Sequence, residues 1–504
     1  MRKYLLIFVI IALLLPCFTA CDTAPRIVNL TLDGDLADAL EQVADGGTIR
    51  IETRYNIPNN FIWEEHEKSI TITGGMLNFK NNKDFVLGDG VRFENITLQF
   101  EDNSNLYANG HPLYIHTDVK VSGLANLYGG GRLSNVSGTN MTLLGGTFLN
   151  VYGGGNSGKV NGDVHLVIGG NFNSKMGAIS HTHEYQIFGG GNNCVINGNV
   201  NLTFGENAKA NYIYGGCQGK NSRIRGSIRL NFNGGQAMSV IGGSYDVNQQ
   251  SDVHLSFTGG QVQQIFGGCE KASMAGNILL SITGGTVTRR IYGGCYNNYT
   301  LDGWQDVPNY VYGTILLVLG ENVDLKLDYG SDESVYAHSR QATIPTTEIS
   351  HLAFTSEAAQ AKHKSKLGAQ DWTMQSIMGS TKICDKQHIL TFNATDKAIV
   401  QNCDQHKSPI ASFSVINGIF TGQPPENVTV TVDENWIGPA PYVVYENNTN
   451  IGFATATIRF GDMSKTVTFF IWPPVWVCIT AGVVLLLITA GVILVIMKKK
   501  KAAT

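Results

Sequence analysis

Six short segments of the chain carry apolar residues at every second position: Val164/Leu166/Ile168, Val200/Leu202/Phe204, Ile228/Leu230/Phe232, Val253/Leu255/Phe257, Ile278/Leu280/Ile282 and Ile315/Leu317/Leu319. A period of two puts the apolar set on one face of an extended strand, so each segment predicts a strand with one buried face. The neighbouring positions Asp163 and His165, Asn199 and Asn201, Arg229 and Asn231, Asp252 and His254 are mostly polar and are expected to face water. A Gly-Gly or Gly-Glu pair follows each strand, as at Gly169-Gly170 and Gly205-Glu206, and a second short strand then runs into another corner.

That second corner is written almost the same way seven times. LYGGG ends at Gly131, VYGGG at Gly155, IFGGG at Gly191, IYGGC at Cys217, VIGGS at Ser244, IFGGC at Cys269 and IYGGC at Cys295. Successive copies lie 24 to 27 residues apart, with one interval of 36, which is the signature of a coil adding one rung of strands per turn. The long interval contains Asn173–Tyr185, expected to leave the rung as a loop; its His181, His183 and Glu184 are a candidate metal-ligating trio, weighed against ordinary solvent exposure. The last residue of each copy is always small, as a cramped corner requires. Rungs about 4.8 Å apart bring Cys269 and Cys295 within reach of a disulfide, although the column reads first as stacked thiols, with the bridge as the alternative. The aromatic column Tyr128, Tyr152, Phe188, Tyr214, Phe266 and Tyr292, interrupted by Ile241, reads first as a structural ladder. A solvent-facing row would instead offer a platform for sugar rings, with Tyr214 and Tyr292 foremost.

Ahead of the repeats, Leu36, Ala39, Leu40 and Val43 have helical spacing and precede Asp45-Gly46-Gly47-Thr48-Ile49-Arg50-Ile51. With Ile70-Thr71-Ile72-Thr73-Gly74-Gly75 and Phe93-Glu94-Asn95-Ile96-Thr97-Leu98, this resembles the N-terminal cap and first coils of the pectin-lyase-like right-handed parallel β-helix family. The resemblance spans residues 27–336, and a helix there would shield the open end of the solenoid. Near the C-terminal end, Tyr445-Glu446-Asn447-Asn448-Thr449-Asn450-Ile451-Gly452 followed by Ala454-Thr455-Ala456-Thr457-Ile458 resembles the signature of bacterial Ig-like repeats of surface proteins. It implies a small β-sandwich over residues 408–472, with Tyr442 and Tyr445 in core and edge packing. Residues 337–407 match neither. Thr355–Leu367 there predicts a helix, His388–Phe392 and Ala398–Gln401 predict strands, and Cys384 and Cys403 are candidates to close a loop around them. The expected fold is thus all-β: a right-handed parallel β-helix, a small Ig-like sandwich and one membrane helix.

Both ends are apolar. Arg2 and Lys3 before the run Tyr4–Leu15 give residues 1–21 the layout of a secretory signal, and Phe18-Thr19-Ala20-Cys21 resembles a lipobox with Cys21 as the lipidated residue. Residues 475–497 form 23 positions without a charge, about 34 Å as a helix, enough for a hydrocarbon core of about 30 Å. Lys498–Lys501 follow, which places the tail 498–504 in the cytoplasm and the body of the chain outside. Of nine cysteines, six fall in the external part, an even number that permits disulfides. A formal charge of -4 over 504 residues offers no footprint for nucleic acid. Nine N-x-S/T sequons are treated as compositional in so Asn- and Thr-rich a chain. No cofactor is indicated, and the oligomeric state is open.

An enzyme on this scaffold would need clustered carboxylates. Asp163 and Asp252 share a column but lie three rungs apart, roughly 14 Å, beyond the roughly 5 to 9.5 Å of glycosidase pairs. The less regular early coils hold Glu52, Glu64, Glu65, Glu67, Asp84, Asp89, Glu94, Glu101, Asp102 and Asp118, whose mutual placement is open at this level. The expectation is therefore a non-enzymatic, membrane-anchored bacterial surface protein that adheres to a glycan or host-matrix ligand or displays its repetitive face. A polysaccharide lyase or hydrolase is the alternative, and a non-binding stalk the third.

Overall fold

The computed structural model describes residues 26–80, 83–174, 185–296, 309–327, 335–340 and 348–367 of the N-terminal unit. In the C-terminal unit it describes 388–393, 398–402, 409–415, 418–419, 428–432, 440–461, 463–474 and 489, residue 439 being grouped with the first unit. The chain divides into two units, one ending at Gln387 and one beginning at His388. Cys21, Cys384, Cys403, His181, His183, Glu184 and the signal segment lie outside the described residues. So do 475–497, Thr489 excepted. Among the described residues no helix is long and apolar enough to cross a membrane.

The first unit is a parallel β-solenoid. One sheet stacks strands in register from Ile27–Leu30 through Val164–Ile168, Val200–Phe204, Ile228–Phe232, Val253–Phe257 and Ile278–Ile282 to Ile349–Phe354, every pairing parallel. A second, 11-stranded sheet collects the strands that enter the repeated corner, from Asp84–Val86 to Val335–Tyr336. The third side is made of short parallel bridges such as Val136 with Val160, Val160 with Ile196, and Met274 with Val311. Inward residues of all three sides merge into one core, and Phe204, Phe232 and Phe257 stack within it at centroid spacings of 5.0 and 5.1 Å. The coil runs past residue 336, because Ile349–Phe354 adds a further rung to the first sheet. Val335-Tyr336-Ala337-His338-Ser339 is an eighth, degenerate copy of the corner phrase, and Leu106-Tyr107-Ala108 an early one.

The open N-terminal end is capped as the spacing predicts. Helix Leu36–Gln42 buries Leu36, Ala39 and Leu40, and the Asp35 side chain accepts the Ala37 N–H at 2.8 Å. At its other end the Lys68 ammonium donates to the Leu40 and Glu41 carbonyls at 2.9 and 2.8 Å, satisfying two groups a helix terminus leaves open. At the far end of the coil, helix Glu357–His363 lies within the stretch whose sequence predicts one.

The exposure of the outward positions departs from expectation. Outward residues are polar and at least partly exposed only on the earlier rungs. Along Val253–Phe257 and Ile278–Ile282 every residue is buried, including the outward His254 and Leu279, and Leu316 and Val318 follow suit. The apolar outward residues mark strands covered on both faces, for which alternation gives way to a continuous apolar run. His254 is therefore a core histidine, whereas His165, three rungs away in the same column, is exposed.

In the second unit, His388–Asn393, Ala398–Asn402, Pro409–Val415 and Val428–Val432 pair antiparallel in one sheet. Tyr442–Glu446, Gly452–Phe460 and Met463–Trp472 pair antiparallel in another, with Gly418–Ile419 alongside the last. Val428 of the first sheet packs with Ala454, Ala456, Ile458, Phe469 and Ile471 of the second, so the two lie face to face. The Tyr445 hydroxyl joins them by accepting the Val428 N–H at 3.0 Å, and its ring meets Phe469 edge-on at 6.0 Å. The unit begins about twenty residues before 408, since the strands from His388 belong to it.

The corner phrase has a steric origin. A Cβ built on Gly189, Gly215, Gly242 or Gly267 would stand 2.1 to 2.3 Å from the carbonyl oxygen of the equivalent glycine one rung on. A Cβ on the second glycine would strike the small last residue of the next copy: Gly216 meets Ser244 Oγ at 2.2 Å, and Gly268 meets Cys295 Sγ at 2.7 Å. Backbone cannot yield as a flexible side chain can. Gly215→Ala is accordingly expected to cost about 2 kcal/mol or more, read as a lower urea midpoint, while Gly169→Ala, whose Cβ meets only a leucine methyl at 3.5 Å, is expected to be nearly silent.

Candidate functional site

The aromatic column is a ladder, and it is closed to ligands. Tyr107, Tyr128, Tyr152, Phe188 and Tyr214 stack at centroid spacings of 4.6 to 5.1 Å with nearly parallel planes. Phe266, Tyr292 and Tyr336 continue it at 5.6 and 4.9 Å beyond the interruption at Ile241. The rings point away from the solenoid core yet form a separate buried cluster, with Tyr214 1% and Tyr292 6% exposed. The glycan-platform reading of Tyr128, Tyr152, Phe188, Tyr214, Phe266 and Tyr292 is thereby corrected, because all six rings are buried.

The cover comes from the residue just after each corner phrase, two rungs further on. Asn156 Nδ2 donates to the Tyr107 hydroxyl at 3.1 Å, Asn192 bonds the Tyr128 hydroxyl, the Tyr152 hydroxyl donates to Gln218 Oε1 at 2.5 Å, and the Tyr214 hydroxyl donates to the Glu270 carboxylate. Opposite Phe188, which has no hydroxyl, the same position is Tyr245. Opposite Ile241 it is Tyr296, whose ring meets Phe266 edge-on at 4.3 Å. The Tyr107, Tyr128, Tyr152 and Tyr214 hydroxyls thus each meet a polar side chain, while opposite Phe266 the same position is Arg340. Beside the rings runs an amide ladder: Asn150 donates to Asn126, Asn126 to Asn105 and Asn105 to Asp84 at 3.2, 3.0 and 2.7 Å.

The thiols stack without bridging. Cys194, Cys217, Cys269 and Cys295 are buried and free, which corrects the Cys269–Cys295 disulfide. In the corner column the Cys217, Cys269 and Cys295 thiols each fill the space above the second glycine of the preceding copy, and Cys295 Sγ accepts the Cys269 N–H at 3.4 Å. Burial pushes the Cys269 thiol up to about 12 and holds Cys295 well above the usual thiol value, so neither is a thiolate at neutral pH.

The acids divide into solvent-facing and structural groups. Asp45, Asp102, Asp163 and Asp252 accept the backbone N–H of Ser69, Leu124, Asn199 and Asn277 in the neighbouring rung at 2.7 to 2.9 Å. Asp89 is 1% exposed; burial raises its pKa, but donors from Trp63, His66 and Lys68 outweigh that and keep it low. Asp84 pairs with Arg132 at 3.1 Å, and Glu52, Glu64, Glu65, Glu67 and Glu101 are exposed. Among the described residues no three His, Cys, Asp or Glu side chains gather as a metal would need.

The early rungs provide an open feature instead. Outward positions of the first sheet there read Ser69, Gly90, Pro112 and Asn140 in one column and Thr71, Arg92, Tyr114 and Thr142 in the next. The absent side chain at Gly90 and the short one at Pro112 leave a trough of about 330 Å³, walled by the second column. The Arg92 guanidinium lies 4.0 Å over the Tyr114 ring and donates to Glu94 at 2.8 Å, which raises its pKa further. His116, stacked on Tyr114 at 6.3 Å, contacts Asp118 at 2.8 Å. The Asn95 N–H, more than that histidine, holds the Asp118 carboxyl below its usual value. Asp118, Asn95 and Lys120 line a second depression of about 300 Å³ further along the strands. Sequence reasoning named Glu94 and Asp118 but missed Arg92 and Tyr114; the signal was the loss of side chain at Gly90 and Pro112 beside an outward aromatic residue.

No family model matches the chain, and neither a curated protein nor a solved structure does.

Two measurements check this account. Tyr214→Phe removes the donor to the buried Glu270 and is expected to lower stability by about 1–3 kcal/mol, read by urea unfolding at pH 7. Burial, with Arg229 on the adjacent strand adding to it, pushes the His254 imidazole down to about 3. The unfolded chain takes that proton near pH 6.5 and the folded chain does not. Stability from this site is therefore complete above pH 6.5 and falls by about 1.4 kcal/mol per unit between there and pH 3. Unfolding at pH 7.5 and pH 5 is expected to show this loss in the parent chain and its absence in His254→Asn.

Proposed function

We propose that the chain is a membrane-anchored surface protein whose early solenoid rungs bind glycan chains, with the sandwich unit as an Ig-like spacer next to the membrane. The observation that carries the reading is the trough walled by Arg92 and Tyr114. A partly open aromatic ring beside a guanidinium, threonine hydroxyls and an asparagine amide suits sugars, which present apolar C–H faces and a rim of hydroxyls. The trough crosses several rungs, so it fits an extended chain better than a compact ligand. Binding is favoured over cleavage because the nearby acids are engaged, Glu94 by Arg92 and Asp118 by the Asn95 N–H and His116.

The resemblance of residues 27–336 to pectin-lyase-like β-helices and of Tyr445–Ile458 to bacterial Ig-like repeats supports a bacterial surface setting, and the uncharged stretch 475–497 followed by lysines supports the anchor. On this reading the first 21 residues direct export.

The test is a glycan array probed with the full chain in lipid nanodiscs. Tyr114→Ala and Arg92→Ala are each expected to weaken binding tenfold or more, about 1.4 kcal/mol. Undiminished binding by both variants would move the site elsewhere, and no binding to acidic or neutral glycans would remove the reading.

A further inference from the structure

The sandwich unit carries an aromatic patch on the outer side of its second sheet. Phe453 pairs with Phe470, and Ile419 with Trp472, across neighbouring strands. Ala454, Phe469 and Ile471 point into the core, so the intervening Phe453, Phe470 and Trp472 point out. Phe453 is 75% exposed, Trp472 54%, Ile419 50% and Ile451 49%. The rings touch one another edge-on at centroid distances of 5.0 and 4.8 Å, forming a continuous surface rather than scattered side chains. Exposed aromatics gathered like this on one end of a sheet face have no role in holding the sandwich together.

Their position identifies a partner. Trp472 is the last residue of its strand, and only Pro473 and Pro474 separate it from the uncharged stretch that begins at Val475. The three residue steps from Trp472 to Val475 span at most about 11 Å. The patch therefore lies at the place where the chain leaves the sandwich for the proposed anchor. The other end of the same hairpin, at Arg459, Ser464 and Lys465, is polar. Aromatic side chains favour the boundary between headgroups and acyl chains, where the ring is desolvated and its polar edge stays wet.

We infer that Phe453, Phe470 and Trp472 form a membrane-seating surface, with Ile419 and Ile451 at its margin, that rests this end of the sandwich on the lipid headgroup layer. The inference rests on the anchor reading above and goes beyond it. An anchor alone would leave the sandwich free to swing on its Pro-Pro junction, whereas a seated patch restricts its tilt. The occupant is a lipid surface, since the adjoining chain is uncharged for 23 residues and then basic.

The test uses the full chain reconstituted in phosphatidylcholine–phosphatidylglycerol vesicles, with Phe453→p-benzoylphenylalanine as a photo-crosslinker and Ile62→p-benzoylphenylalanine, at an exposed position of the solenoid, as the control. Lipid adducts at 453 at least an order of magnitude above those at 62 are expected. Adducts only to a second copy of the chain, or none above the control, in protein that resists carbonate extraction would overturn the seating surface and leave the anchor standing. Protein washed from the vesicles by carbonate would overturn the anchor, and the seating surface with it. Trp472→Ser, which removes the ring beyond Phe470 without touching the core, is expected to lower the adduct yield at 453 severalfold.

Discussion

The solenoid depends on the approach of one rung's corner glycine to the carbonyl of the next, closer than any side chain would allow. Because Gly189 and Gly215 fit only when one sits directly beneath the other, the corner acts as a register pin. A slip of one residue would put a Cβ into the backbone above and turn every strand's core residues outward. Once register is pinned there, like residues fall above like, and the columns follow: rings on rings, amides on amides, thiols above glycines. Ladder formation is thus a consequence of the glycine contact.

A repeated geometry also settles how acids are used. Each corner leaves backbone N–H groups that the parallel pairing does not reach, and a side chain from the adjoining rung accepts them. Asp163 accepts from Asn199, Asn199 from Ser227, Asp252 from Asn277 and Asn277 from Thr314. Asp and Asn alternate freely in that column because only an acceptor oxygen is required. These acids stand in a conspicuous row, yet their spacing is that of the rungs and their oxygens already have donors.

Much of the fold was legible because its rules are local. Period-two strands, the corner phrase and the capping helix are each written within about ten residues, and each is found in place. What was not legible involves partners two rungs or more away. The burial of Tyr152 and Tyr214 is decided by Gln218 and Glu270, 66 and 56 residues further along. That the ladder tyrosines from Tyr107 to Tyr214 are each answered by a polar residue shows only when alternate copies are aligned. His254 was misplaced for a related reason: its polarity suggested solvent, while the evidence that its face is covered stood on the next two rungs, at Leu279 and Leu316. The last rung escaped notice because Val335–Ser339 replaces both glycines, leaving only the tyrosine and the small final residue of the phrase.

The trough lies where these rules relax. From Val164–Ile168 onward the rungs are nearly identical, and a uniform column offers no concavity. Before that, short strands with Gly90 and Pro112 at outward positions break the uniformity, so side chains on adjacent rungs differ and Arg92 can lie over Tyr114. Regularity stabilises a solenoid by making each rung a template for the next, but recognition of a particular ligand needs positions that are not interchangeable. The irregular early coils supply those positions and the regular ones hold them in place. The stacked aromatics, though the most conspicuous feature of the sequence, are committed to stability, and the binding surface is best sought where the repeat is least perfect.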